Sequence, residues 1–196
     1  MSNSRPRTLN DLRALLRSRL GAFLDPREAW AETDRWLREG FGLDRVRLAA
    51  HGEDGLEDAA FDQAEAWLLR REQGEPWAHL LGWTTFREHR FEVNADVLIP
   101  RPETELVLEA ALDVGRRLGV LHATDVGTGS GILATCLALE TDWQVRAVDI
   151  SRKALRVARR NAEAHGARVR FHEGSLLGPV PDPVGLVVSN PPYVDP

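Results

Sequence analysis

Residues 121–131 read Leu-His-Ala-Thr-Asp-Val-Gly-Thr-Gly-Ser-Gly, a strand-like run that ends in a glycine turn. The apolar stretch Ile132–Leu139 comes immediately after it, so the pattern predicts a strand over 121–126 and a helix over 131–140. From here strand and helix alternate. A strand is expected at 144–149, and a helix at 152–164 that Ser151 caps and Gly166 ends. Further strands are expected at 168–172 and 184–189. Such alternation implies right-handed crossovers and a parallel sheet, and hence an α/β fold of Rossmann-like type.

The turn itself narrows the chemistry. Gly127, Gly129 and Gly131, with Thr128 and Ser130 between them, are spaced G-x-G-x-G. Glycine lets a ligand come close to the backbone, and the next helix offers free N–H groups. The dinucleotide fingerprint is G-x-G-x-x-G, and here Ile132 follows Gly131 directly. The lysine and hydroxyl of a P-loop are absent as well. Asp149, at the end of the second strand, can accept both hydroxyls of a ribose. It can equally cap the helix that starts after Ser151. The glycine turn before it favours the ribose reading. Asp125 is expected to orient the turn rather than touch a ligand.

A third feature is Asn190-Pro191-Pro192-Tyr193, placed after the apolar strand at a carboxyl end, where open α/β sheets bind ligands. An amide or aromatic –NH2 is a poor nucleophile because its lone pair is delocalised. To be methylated it must be held in line with the methyl donor, with acceptors for its two protons. The Asn190 side-chain oxygen and the Pro191 carbonyl can serve, in a loop that proline stiffens. Acceptors placed there stabilise charge developing on nitrogen. Tyr193 offers a flat face for a planar group. Asn190 and Tyr193 are therefore the candidate catalytic residues, and Asn190 to Tyr193 the candidate substrate site. The bland alternative is a simple turn after a strand.

Upstream, residues 1–80 read as a small helical bundle. Thr8 and Asp11 have capping-box spacing before Leu9, Leu12, Leu15, Leu16 and Leu20. A second helix opens at Asp25-Pro26 with Trp30, Thr33, Trp36 and Leu37 along one side. A third spans Asp44–Ala50, and a fourth runs from about Asp58 to Gln73. Their aromatic residues are expected in the core. Trp83–Phe86 and Phe91–Val93 flank a polar stretch and predict a β-hairpin, read as a linker over 81–102. Leu98-Ile99-Pro100-Arg101-Pro102-Glu103-Thr104-Glu105 then leads into a helix ending near Leu118, with acids in its first turn.

Bulk properties exclude several classes. The 196 residues carry a net charge of −5, against strong non-specific nucleic-acid binding. No stretch approaches 18 consecutive apolar residues, so no membrane span is expected, and no signal-type segment opens the chain. The reading is of a cytoplasmic protein. Cys136 is the one cysteine and sits in an apolar run, as a buried small hydrophobe. The six histidines show no metal-binding spacing, so no metal is expected. The basic stretch Arg152, Lys153, Arg156, Arg159 and Arg160 is expected to be a solvated helix face.

The chain resembles the HemK/PrmC family of release-factor glutamine methyltransferases. The resemblance rests on EPWAHLLG at 75–82, VLIPRPETEL at 97–106, DVGTGSG at 125–131, AVDIS at 147–151 and SNPPYV at 189–194. IPRPETE is the most specific of these. The resemblance implies an N-terminal helical domain that helps dock the substrate protein and a class I S-adenosyl-L-methionine-dependent methyltransferase domain, 103–196. It implies that Gly127, Thr128, Gly129, Ser130, Gly131, Asp149, Leu176 and Asn190 bind S-adenosyl-L-methionine. Asn190, Pro191, Pro192 and Tyr193 would hold the glutamine amide of the Gly-Gly-Gln loop of class I peptide chain release factors. Ser175 stands where many relatives carry an acid after the third strand. The family fold continues for three strands past NPPY, so the methyltransferase domain here is expected to be partial. Two other readings compete: an adenine amino-methyltransferase on DNA or RNA, which the acidic charge disfavours, and a non-catalytic fragment that binds cofactor or partner.

Overall fold

The computed structural model describes residues 8–181 and 183–191, and the chain divides into two compact units, up to Leu81 and from Gly82. The first unit is helical. α1 (Leu9–Leu20) starts at the capping box, in which the Thr8 hydroxyl accepts the Asp11 N–H and the Asp11 carboxylate accepts the Thr8 N–H. Leu9, Leu12, Leu16 and Leu20 line its buried face. In α2 (Pro26–Arg35) the Asp25 carboxylate takes the N–H groups of Arg27 and Glu28, leaving Pro26 in the first turn, where no N–H is needed.

At its end α2 widens into a π-helical turn, Trp36–Gly40, to which sequence periodicity gives no clue. Trp36 stacks on Trp77 with ring centroids 4.7 Å apart, and Trp67 meets both edge-on. Gly40 lies against this cluster, and a Cβ there would come within 2.7 Å of the Trp67 ring. α3 (Arg45–Ala50), α4 (Asp58–Glu72) and a short α5 (Trp77–Leu81) complete the unit. α5 is too short to leave a periodic signal. Contrary to expectation, Trp30 is not core but 57% exposed, with the Arg17 guanidinium 5.9 Å from its ring centre.

The second unit opens with the antiparallel hairpin β1 (Trp83–Phe86) and β2 (His89–Glu92). Phe86 and Phe91 sit in the same core as Leu108, Leu112, Ala123, Leu137 and Val145, so the hairpin is packed into this unit. α6 (Glu103–Arg117) precedes the alternating run β3 (His122–Val126), α7 (Ile132–Glu140), β4 (Gln144–Asp149), α8 (Arg152–Ala164), β5 (Val169–Glu173) and β6 (Leu186–Val188). The strands form a parallel sheet in the order β5-β4-β3-β6. β4 lies on one side of β3 and β6 on the other, so the chain reverses direction across the sheet at β3. A reversal of this kind opens a crevice at the carboxyl ends of the strands. Among the described residues no helix is long and apolar enough to cross a membrane.

Candidate functional site

The turn after β3 lies in that crevice. Gly127, Gly129 and Gly131 all have positive φ, of 71°, 54° and 78°. At Gly127 and Gly129 a Cβ would meet nothing within 4 Å, so both positions face open space. At Gly131 the constraint is packing, because a Cβ would stand 2.7 Å from the Ala158 Cβ on α8. The turn is tied back to β4 by the N–H groups of Gly127 and Thr128, which both donate to the Val148 carbonyl, at 2.8 and 3.0 Å.

Two aspartates frame the turn in different ways. Asp125 is buried at 1% exposure. Its Oδ2 accepts the Thr128 hydroxyl at 2.6 Å and the Ala134 N–H at 3.2 Å, which holds turn and helix together as expected. Burial pushes its carboxyl up to about 6, against these two hydrogen bonds and with a small push from Asp149. Asp149 is half-buried and spans the next gap. Its Oδ2 accepts the Gly129 N–H and its Oδ1 the Ser151 N–H, each at 2.9 Å. Each carboxylate oxygen so held keeps a second lone pair. Asp149 thus braces the Ser151 backbone just before α8 and keeps a free acceptor on each oxygen.

Asn190 comes two residues after β6. Ser189 fixes the strand end by donating its hydroxyl to the Val126 carbonyl of β3 at 2.8 Å. The Asn190 Nδ2 donates to the Thr104 Oγ1 on α6 at 2.8 Å. Leu98, Pro100, Thr104, Asp125, Gly127 to Ser130 and Asn190 line a recess of about 50 Å3. On the other flank of Gly127 a wider recess, about 260 Å3, is lined by Asp149, Ile150, Ser175, Leu176, Ser189 and Pro191. The structure thus brings Gly127, Thr128, Gly129, Ser130, Asn190, Asp149, Leu176 and Pro191 around two recesses that share Gly127. Gly131 stands behind them as a packing residue. Pro192 and Tyr193 lie outside the described residues.

Two contributors escaped sequence reasoning. Thr104 belongs to IPRPETE, yet nothing local reveals its partner, 86 residues away. Asn161 on α8 is 2% exposed. Its Nδ2 donates to the Ser130 carbonyl at 2.8 Å and to the Glu92 carbonyl at 2.9 Å, while its Oδ1 accepts the Glu92 N–H at 2.7 Å. A polar residue on the apolar side of a helix was the available signal. The basic face of α8 is largely committed within the unit. Arg160 pairs with Glu92, Arg152 with Glu173 and Lys153 with Asp96, and Arg159 lies over Phe171.

A parallel sheet with a glycine turn, a second-strand acid and an Asn-Pro loop around its switch point defines the α/β methyltransferase class. Two family models agree. The Methyltransferase small domain model matches residues 94–196, and the PrmC N-terminal domain model matches residues 9–82. The chain is 41% identical over 161 residues to a release factor glutamine methyltransferase of Bacillus subtilis, covering 78% of this chain and 56% of that protein. It is 44% identical over 155 residues to one from Neisseria gonorrhoeae, covering 77% and 56%. Among solved structures, a ribosomal protein L11 methylase from Lactobacillus delbrueckii overlaps 45% of this chain and 46% of its own, with 30% identity and a TM-score of 0.38. The chain belongs to the methyltransferase small domain family, in its HemK/PrmC branch. It spans about half the length of the curated relatives it matches.

Proposed function

We propose that this site transfers a methyl group from S-adenosyl-L-methionine to the side-chain amide nitrogen of a protein glutamine, the one in the Gly-Gly-Gln loop of class I peptide chain release factors. The observation that carries the reading is the pair of recesses meeting at Gly127, one bordered by Asp149 and the other by Asn190. The residues fit the cofactor. The wider recess joins a carboxylate with two free lone pairs to the apolar Ile150 and Leu176, a match for a ribose and a flat base. The open positions at Gly127 and Gly129 let a ligand reach the backbone. When bound, S-adenosyl-L-methionine supplies an electrophilic methyl group.

This chain's residues do the rest. The Asn190 Oδ1 and the Pro191 carbonyl accept the two amide protons and orient the nitrogen. They also stabilise the positive charge that develops on it during transfer. Tyr193, in the same sequence motif, offers a flat face for the amide plane. The release-factor substrate rests on the relatives' names and on the motifs IPRPETE and NPPY.

The test is methyl transfer from labelled S-adenosyl-L-methionine to a purified class I release factor, beside a variant with alanine for the loop glutamine. Label on the wild-type factor alone supports the reading. No label, with cofactor binding intact by calorimetry, overturns it for this chain and leaves a cofactor-binding fragment.

A further inference from the structure

Thr104 is a buried hydroxyl, 4% exposed, in the first turn of α6. Its backbone N–H is satisfied by the Arg101 carbonyl at 2.9 Å. Valine would fill the same space without a polar atom to satisfy, so packing alone does not call for threonine here. Among the described residues, the partner its Oγ1 meets is the Asn190 Nδ2, at 2.8 Å. Both side chains border the smaller recess.

An asparagine amide is two-faced. One end accepts and the other donates, and rotation about χ2 exchanges them. An –NH2 acceptor for the methyl group needs the oxygen end, because the nitrogen end would set donor against donor. Asn190 is anchored along the backbone by the Ser189 hydroxyl on β3, which leaves its side chain free to turn. The contact with Thr104 engages the nitrogen end and leaves the Oδ1 uncommitted.

We infer that Thr104 is a positioning residue for methyl transfer: by hydrogen-bonding the Asn190 amide, at its nitrogen end in the structure, it holds that side chain in place with the oxygen free for the substrate –NH2. This rests on the reaction proposed above and adds to it the residue that holds the amide in place. Thr104 acts through Asn190 and does not touch the substrate. Its loss therefore lowers turnover and leaves the docking of the substrate protein alone.

The experiment compares Thr104→Val and Thr104→Ser in the full chain, together with Asn190→Ala and the double variant Thr104→Val/Asn190→Ala. Thr104→Val is expected to lower kcat about 10- to 100-fold, the scale of a small misplacement of a reacting group, with KM for the release factor unchanged. Serine keeps the hydroxyl and should restore most of kcat. In the Asn190→Ala background, valine should add no further loss. A wild-type kcat in folded Thr104→Val, or full additivity of the two changes, overturns the inference.

A second readout needs no activity. The side-chain NH2 protons of Asn190, followed by NMR, should exchange slowly in the wild type and the serine variant and fast in the valine variant. Unchanged exchange in the valine variant, or exchange in the wild type as fast as in the valine variant, overturns the inference too. If the wild type methylates no release factor, the substrate reading fails, and the exchange comparison still decides the role of Thr104. If valine prevents folding, the serine variant decides: loss of either kcat or Asn190 protection with the hydroxyl retained overturns the inference.

Discussion

Asn161 holds Ser130 and, with the same amide, both backbone groups of Glu92. One side chain on α8 thereby joins the glycine turn to the β-hairpin. All three of its polar valences toward these partners are used, so its orientation is fixed and no smaller residue can replace it. Asn161→Ala should destabilise the chain by about 2–4 kcal/mol, from three lost hydrogen bonds and the polar groups left buried without partners. Urea unfolding at neutral pH measures this. A loss below about 1 kcal/mol would mean that water takes over the contacts.

Asp149 has a separable role. Asn at this position keeps one acceptor, for either the Gly129 or the Ser151 N–H, and gives up the charge. Asp149→Asn should weaken S-adenosyl-L-methionine binding about 10- to 100-fold, the worth of charge-assisted hydrogen bonds to a pair of hydroxyls. Calorimetry with the free cofactor reads the change. An unchanged affinity would leave Asp149 as a brace between Gly129 and Ser151 alone.

Asp125 makes stability depend on pH. Its carboxyl ordinarily titrates near 3.8, and burial in the fold pushes it up to about 6. Below about pH 4 the group is neutral in both folded and unfolded chains and costs nothing. Between about 4 and 6 the unfolded chain ionises first, so stability falls as pH rises. Above about 6 the full cost is present, about 2–3 kcal/mol. Asp125→Asn keeps acceptors for the Thr128 hydroxyl or the Ala134 N–H and removes this slope. The stability of the variant relative to wild type should therefore rise from about pH 4 to about pH 7. A flat difference across that range would contradict the burial argument.

Cys136 is 1% exposed, and burial pushes its thiol up to about 12. Only the thiolate reacts readily. A thiol reagent at about pH 7.5 should leave the native chain unlabelled and label one site per chain after unfolding. Rapid labelling of the native protein would mean that α7 opens on the time scale of the assay.

Local order explains which parts of the fold were legible in the sequence. The strands and helices from 122 onward stand within two residues of their expected bounds, because each carries its own period and its own punctuation at Ser151 and Gly166. The places of Asp149 and the glycine turn, each at the end of a strand, were legible for the same reason: the pattern around them is local. Thr104 and Asn161 were not, because each finds its main partner 69 to 86 residues away. The π-helical turn at Trp36–Gly40 was hidden because it packs tryptophans brought together by three helices. Trp30 was misread for the converse reason. Its spacing matches the buried face, while its ring lies outside beside Arg17.

β6 has only three residues and, among the described residues, pairs with β3 alone. Short edge segments with few backbone pairings are where a native protein opens first, far below the free energy of global unfolding. Asn190, Ser189 and Pro191 all hang from that segment. The amides of Leu186–Val188 should thus trade hydrogen with solvent sooner than those of β3 and β4. A ligand seated across β3 and β6 would slow that exchange in proportion to its occupancy. In this fold the segment that completes the site also acts as its gauge, reporting from within the backbone whether anything is bound.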